Sequence, residues 1–163
     1  MEDKVTGEEL RDAVRAAIED RAVWLYLILK ELQGGKEITE VPAVSEAIFK
    51  FGRQKGEQMP PADNPGDWAR SLITPVGSMV FEQKLVEEND NRAVIEFSYC
   101  PLVEAWKKQG ASDKEVAALC KMARCGDHGR IASFPFKLTF EKLLAEGDKV
   151  CRLLVEREDI RQE

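Results

Sequence analysis

The chain has 163 residues, and its 24 Lys and Arg against 30 Asp and Glu leave a formal charge of −6. One domain spanning 1–163 is expected, and at that size it buries roughly 70% of the surface of its unfolded chain, so stability requires neither disulfides nor a structural metal. The acidic balance without any run of Lys or Arg speaks against nucleic acid as a partner, and the longest apolar run, Ala22 to Leu29, is far short of the roughly 20 residues needed to cross a membrane.

Thr6-Gly7-Glu8-Glu9 has the form of a capping box. Leu10, Val14, Ala17, Ile18, Trp24, Leu25, Ile28, Leu29 and Leu32 then recur at helical spacing until Gly34-Gly35, which predicts one long helix. A second helix is expected from Pro42, with Val44, Ile48, Phe49 and Phe51 as its apolar stripe and with Gly52 and Gly56 weakening its end. Three prolines between Met59 and Gly66 read as a loop that joins a helical part, 1–58, to a mixed part, 78–156. From Ser78 the period changes to two. Met79, Phe81 and Leu85 alternate with Val80, Glu82 and Lys84, the chain turns at Glu88-Asn89-Asp90-Asn91, and Ala93, Ile95, Phe97 and Tyr99 resume, which predicts a hairpin. Helices follow over Pro101 to Gln109 and from Ser112, which opens another capping box, to about Ile131. Phe134 to Glu141 and, after Glu146-Gly147, Asp148 to Val155 form a second hairpin. The expected class is α+β, with N-terminal helices, then an antiparallel sheet of about four strands in two hairpins and helices inserted between them.

Met1-Glu2-Asp3-Lys4 lacks the basic and apolar regions of a signal peptide. A cytoplasmic location is the default expectation, and there the cysteines at 100, 120, 125 and 151 stay reduced. Cys100 carries the most information among them. It ends a predicted strand just before Pro101, a favoured first helical residue, and the N–H groups at a helix start favour a thiolate, the nucleophilic and metal-ligating form. The plain alternative is a small buried residue at a strand-to-helix corner.

Cys120 falls on an apolar stripe with Val116, Leu119 and Ala123, where core packing accounts for it. Asp127 follows seven residues later, about 700° around and about 10.5 Å along a straight helix, so the two side chains face the same way if the helix survives Gly126. A carboxylate on an apolar stripe needs a partner, although a turn carboxylate in Cys125-Gly126-Asp127-His128-Gly129 is an equal reading. Cys125 lies about 140° from Cys120 and points elsewhere. His128 is the one histidine, read either as a solvated turn residue or as a general base. Cys151 shares a strand face with Leu153 and Val155 and points toward the core, where Cys100 and Cys120 can converge with it. Three such thiols would call for zinc or another thiophilic metal, but their separations match no zinc-finger pattern.

The run Tyr99-Cys100-Pro101-Leu102-Val103-Glu104-Ala105-Trp106-Lys107-Lys108, then Leu119-Cys120, Asp127 and Leu144-Ala145-Glu146-Gly147-Asp148-Lys149-Val150-Cys151, resembles the family named for L-2-amino-thiazoline-4-carboxylic acid hydrolase. The likeness covers about Met79 to Val155. The second hairpin with its Gly-Asp-x-x-Cys ending is also similar to the 4-vinyl reductase type of small-ligand domain. The first resemblance implies a hydrolase that opens a cyclic amidine-like ring, with a site drawn from Cys100, Cys120, Asp127, Asp148 and Cys151. Either the Cys100 thiolate attacks the ring carbon while Asp127 manages protons, or Cys100, Cys120 and Cys151 or a subset of them hold a metal that activates water; His128 lies outside the family pattern. Asp148, Trp106 and Tyr99 are the candidate substrate contacts.

A small-molecule substrate is thus the expected partner, with neither nucleic acid nor membrane, and a homodimer through the N-terminal helix is the expected assembly. The competing readings are a non-catalytic sensor of a small molecule or thiophilic metal, and a protein whose four cysteines all serve the core.

Overall fold

Thr6 starts the first helix as its local sequence requires: its hydroxyl accepts from the Glu9 N–H at 3.2 Å, and the Glu9 carboxylate accepts from the Thr6 N–H at 2.8 Å. A computed structural model describes residues 4–158. The ends of the expected domain, 1–3 and 159–163, lie outside the described residues, and with them Met1-Glu2-Asp3 of the signal-peptide reading. Helix α1 (Gly7–Leu32) stops where Gly34 and Gly35 both take positive φ, and α2 (Pro42–Gly56) follows.

The expected loop is shorter than its prolines imply. Asn64 accepts from the Asp67 N–H at 2.9 Å and Pro65 takes the first helical position, so α3 (Pro65–Leu72) begins inside it. Thr74 and Pro75 repeat the device and start α4 (Pro75–Phe81). The strand expected from Ser78 is therefore helical through Phe81. Three alternating apolar residues fit either period, and the cap with its proline decides between them. Glu82, at φ 52, reverses the chain into β1 (Gln83–Glu88).

Strand β2 (Arg92–Phe97) completes the first hairpin, and α5 (Pro101–Lys108) follows. The helix expected over Ser112 to Ile131 is two: Arg124 separates α6 (Asp113–Ala123) from α7 (Cys125–Ile131). Strands β3 (Phe136–Lys142) and β4 (Cys151–Arg157) form the second hairpin. Its return begins three residues later than expected, because Leu144–Glu146 make a 3-10 turn closed by Gly147 at φ 92. The antiparallel order is β1-β2-β4-β3, so the hairpins join through β2 and β4, with Phe97 opposite Cys151. The fold is α+β. Among the described residues no helix is long and apolar enough to cross a membrane.

Two hydrophobic clusters organise the interior. Leu29 of α1, Trp106 of α5 and Leu119 and Met122 of α6 centre the first; Trp68 of α3 and Ile95, Leu138 and Leu153 of the sheet centre the second. Cys120 packs against both. The Trp106 indole N–H donates to the Ala22 carbonyl at 2.9 Å, tying α5 to α1. Glu115, only 4% exposed, accepts from the N–H groups of Ile38 and Ser112 at 3.0 Å each and pairs with Lys30. Burial pushes its carboxyl up, but the hydrogen bonds from Lys30, Ile38 and Ser112 outweigh this and hold it below the usual carboxylate range.

Gly52 and Gly56 turn out to be the contact face of α2. A Cβ on Gly52 would lie 1.9 Å from the Gly126 carbonyl oxygen, one on Gly56 would lie 2.1 Å from that of Arg130, and one on Gly129 would lie 2.0 Å from that of Phe49. The backbones of α2 and α7 thus touch with no side chain between them. Gly126 differs, since its added Cβ meets Ile48 Cγ2 at 3.4 Å and the Ile48 carbonyl oxygen at an ordinary 3.8 Å. Gly52→Ala should therefore cost about 3 kcal/mol or more by overpacking. Gly126→Ala should stay within about 1 kcal/mol of wild type, because the gain in helix propensity offsets the contact. Urea unfolding of the two variants checks the contrast.

Candidate functional site

The end of β2 and the start of β4 lie side by side, and that register places the first two cysteines. Cys151 opens β4 opposite Phe97, while three residues past Phe97 Cys100 occupies the N-cap of α5, with Pro101 as first helical residue. Cys120 comes from the last turns of α6, and Asp127 from α7 beyond the break at Arg124. The charges of Cys100, Cys151 and Asp127 all act on one another or on Cys120, so the four side chains share one electrostatic neighbourhood at the seam of the two clusters.

Burial dominates the protonation of this group. It pushes the Cys100 thiol up to about 11, against the pull of the Val103 and Leu102 N–H groups. The helix start expected to favour a thiolate is present, but desolvation outweighs it and the resting form is the thiol. Cys120 rises to about 12 by burial, with the neighbouring Cys100 and Cys151 adding to it. Cys151 also rises by burial, although its Sγ accepts from the Leu144 N–H at 3.3 Å. Burial lifts the Asp127 carboxyl to about 6 against the opposing charge of Arg130. Cys100, Cys120 and Asp127 nevertheless keep part of their surface accessible.

A family model described as L-2-amino-thiazoline-4-carboxylic acid hydrolase matches residues 6–155. The chain belongs to that family. No curated protein matches. Among solved structures, the chain is similar to a trafficking protein particle complex subunit 3 from Naegleria fowleri covalently bound to palmitic acid. The identity is 14% and the TM-score 0.53, over 89% of this chain and 97% of that one, which is a likeness of fold.

For this member of the hydrolase family, the other expected site residues are placed as follows. His128 is half-buried with its ring edge-on to Phe140, the centroids 5.5 Å apart, and burial together with the Arg124 charge lowers its pKa, so it is neutral at pH 7. Trp106 is fully buried in the contact of α1 with α5. Tyr99 lies under the Arg15 guanidinium, 3.8 Å from ring centroid to carbon. Asp148 is exposed and accepts from the Leu143 N–H at 2.8 Å, closing the turn before β4. Cys125 points its Sγ at the carbonyl of Lys121 in the last turn of α6, 3.4 Å away.

The donor set does not fit the expected metal. Among the described residues no group of three or more His, Cys, Asp or Glu side chains is arranged to hold a metal ion. Zinc needs its sulfur ligands about 2.3 Å from one centre. Two surface clefts lie away from the cysteines, one of about 480 Å³ lined in part by Arg11, Glu82 and Gln83, the other of about 240 Å³ beside Asn64 and Arg70.

Arg124 is the member of the site that sequence reasoning missed. Its guanidinium lies 5.7 Å from the Phe140 ring, and its charge lowers the pKa values of Cys120, Cys151 and His128. The available signal was its spacing, one helical turn past Cys120.

The raised pKa of Asp127 has a defined consequence for stability. The folded state holds the proton more tightly than the unfolded chain, so stability falls as pH rises from about 3.8 to about 6. Above that range the ionised carboxylate costs up to about 3 kcal/mol. Asp127→Asn should therefore stabilise the protein at pH 7 and flatten this part of the profile. Thermal melts of both proteins between those pH values and neutrality measure it.

Proposed function

We propose that the protein is a hydrolase that opens a cyclic C–N bond in a small, thiazoline-like substrate, with Cys100 as nucleophile and Asp127 as proton carrier. The observation that carries the reading is the convergence, at a seam between two apolar clusters, of three thiols with a carboxyl lifted to about 6. A small polar ring bound beside these largely buried groups would lose much of its water. A carboxylate retained there at a cost to stability fits a catalytic role better than a structural one.

In this mechanism the Asp127 carboxylate takes the Cys100 proton as the sulfur bonds to the ring carbon beside nitrogen. Asp127 then returns the proton to that nitrogen as the C–N bond breaks. Water, deprotonated by the same carboxylate, displaces the product from sulfur and restores the thiol. Moving the proton from a thiol at about 11 to a carboxylate at about 6 is uphill by roughly 7 kcal/mol. Barriers for turnover at about 10 per second are roughly twice that, so the step is affordable. His128, neutral and against Phe140, is available to steady the departing nitrogen. The setting we assign is a reducing, cytoplasmic one, because oxidation of Cys100 would remove the nucleophile.

A second reading draws on the structural neighbour, whose description reports covalently bound palmitic acid. A cysteine at an apolar seam in a similar fold would hold an acyl chain as a thioester, and the protein would then bind or sense a small molecule without turning it over. Intact mass before and after hydroxylamine tests this, since only a thioester adduct is released.

Cys100→Ala should lower the ring opening of 2-amino-thiazoline-4-carboxylate at least about 1,000-fold with an unchanged fold, whereas Cys125→Ala should leave it intact. Liquid chromatography of the ring-opened product, with circular dichroism as control, gives the comparison. Equal turnover by Cys100→Ala and wild type would remove the nucleophile and with it the mechanism.

A further inference from the structure

Helix α1 buries Ala22, Tyr26 and Leu29 on one face and leaves large apolar side chains on the other. Trp24 is 72% exposed, Leu27 49%, Ile28 52% and Leu32 73%. At 100° per residue Trp24, Leu27 and Ile28 fall within one arc of about 100°, a continuous stripe rather than scattered exposure.

The charges around this stripe are ordered. Glu8, Arg11, Asp12, Arg15, Glu19 and Lys30 of α1 are all engaged in ion pairs within the chain. Arg21 and Glu31 are exposed, and like the exposed Asp20 neither has an ion-pair partner among the described residues. They flank the stripe, one on the N-terminal side of Trp24 and one on the C-terminal side of Ile28. The midpoint of 21 and 31 is residue 26, and the midpoint of 24 and 28 is also residue 26. A two-fold axis level with that residue therefore satisfies both pairs at once, since an isologous contact matches residue i to j and j to i.

We propose that this face is a homodimer interface, in which α1 packs antiparallel on α1 of a second copy. Trp24 lies on the partner's Ile28, Arg21 pairs with the partner's Glu31, and both contacts repeat across the axis. The four exposed apolar side chains offer roughly 500 Å² per copy, so about 1,000 Å² in the pair, the lower bound for a specific interface. Arg21 and Glu31 make the face complementary in charge to itself, as a contact with a second copy requires. The inference stands apart from the hydrolase reading, because the stripe lies on the face of α1 away from α5 and Cys100.

Sedimentation equilibrium of the full chain should show a dimer at about 10 µM, with Trp24→Glu monomeric and its thermal melt unchanged, the side chain being exposed. Arg21→Glu should weaken the dimer at least about tenfold by setting two acids together, and adding Glu31→Arg to it should restore affinity to within about threefold. A wild-type chain that stays monomeric at about 100 µM overturns the proposal. So does a dimer indifferent to Trp24→Glu, or one that the charge exchange fails to restore, since either outcome places the contact elsewhere or in another register.

Discussion

The backbone contact between α2 and α7 is the constraint from which the candidate site follows. Gly52 meets Gly126, Gly56 meets Arg130 and Gly129 meets Phe49, each contact too close to admit a Cβ on Gly52, Gly56 or Gly129. Helix α7 follows α6 with Arg124 as the one residue between them. Held there, Asp127 sits between two contact glycines on a helix with little freedom to shift. Its carboxyl is thereby kept against the cysteine seam, where a solvated turn would have let it swing into water. The site rests on close packing of small residues outside it.

Desolvation governs the chemistry of what is held. A helix start facing Cys100 and an arginine beside Cys120 and Cys151 all act to lower thiol pKa values, and burial overrides them. In an apolar seam a charge loses more from leaving water than the partial charges of a few N–H groups return. The same effect lifts Asp127 into the range where a carboxyl exchanges protons near neutral pH. One physical cause thus leaves the thiols protonated and supplies a base whose pKa is nearer to the operating pH than an ordinary aspartate's.

Much of this was legible along the chain because it is local. Thr6 and Ser112 announce their helices through capping boxes, Pro101 places Cys100 at a helix start, and the alternation through Ala93, Ile95, Leu153 and Val155 marks the core faces of β2 and β4. The family likeness drawn from the Cys-Pro-Leu run and the Gly-Asp-x-x-Cys ending extends over residues 6–155. Where the reading failed, two local patterns competed over a few residues. Met79 to Phe81 alternates like a strand, yet follows a capping threonine and a proline. Gly52 and Gly56 look like weak points in α2 because their use depends on α7, some seventy residues away.

The order of elements, the capped helix starts, the two hairpins and the family all follow from short stretches of chain, since hydrogen-bond caps, turns and periodic burial depend on residues within a few positions of one another. The tertiary structure alone decided the break at Arg124, the join of β2 to β4 and the backbone contact of α2 with α7. It also decided the protonation of the cysteines and Asp127. These depend on how deeply groups distant in sequence exclude water from one another, and the energy of a buried charge is set by all its surroundings rather than by its neighbours in the chain.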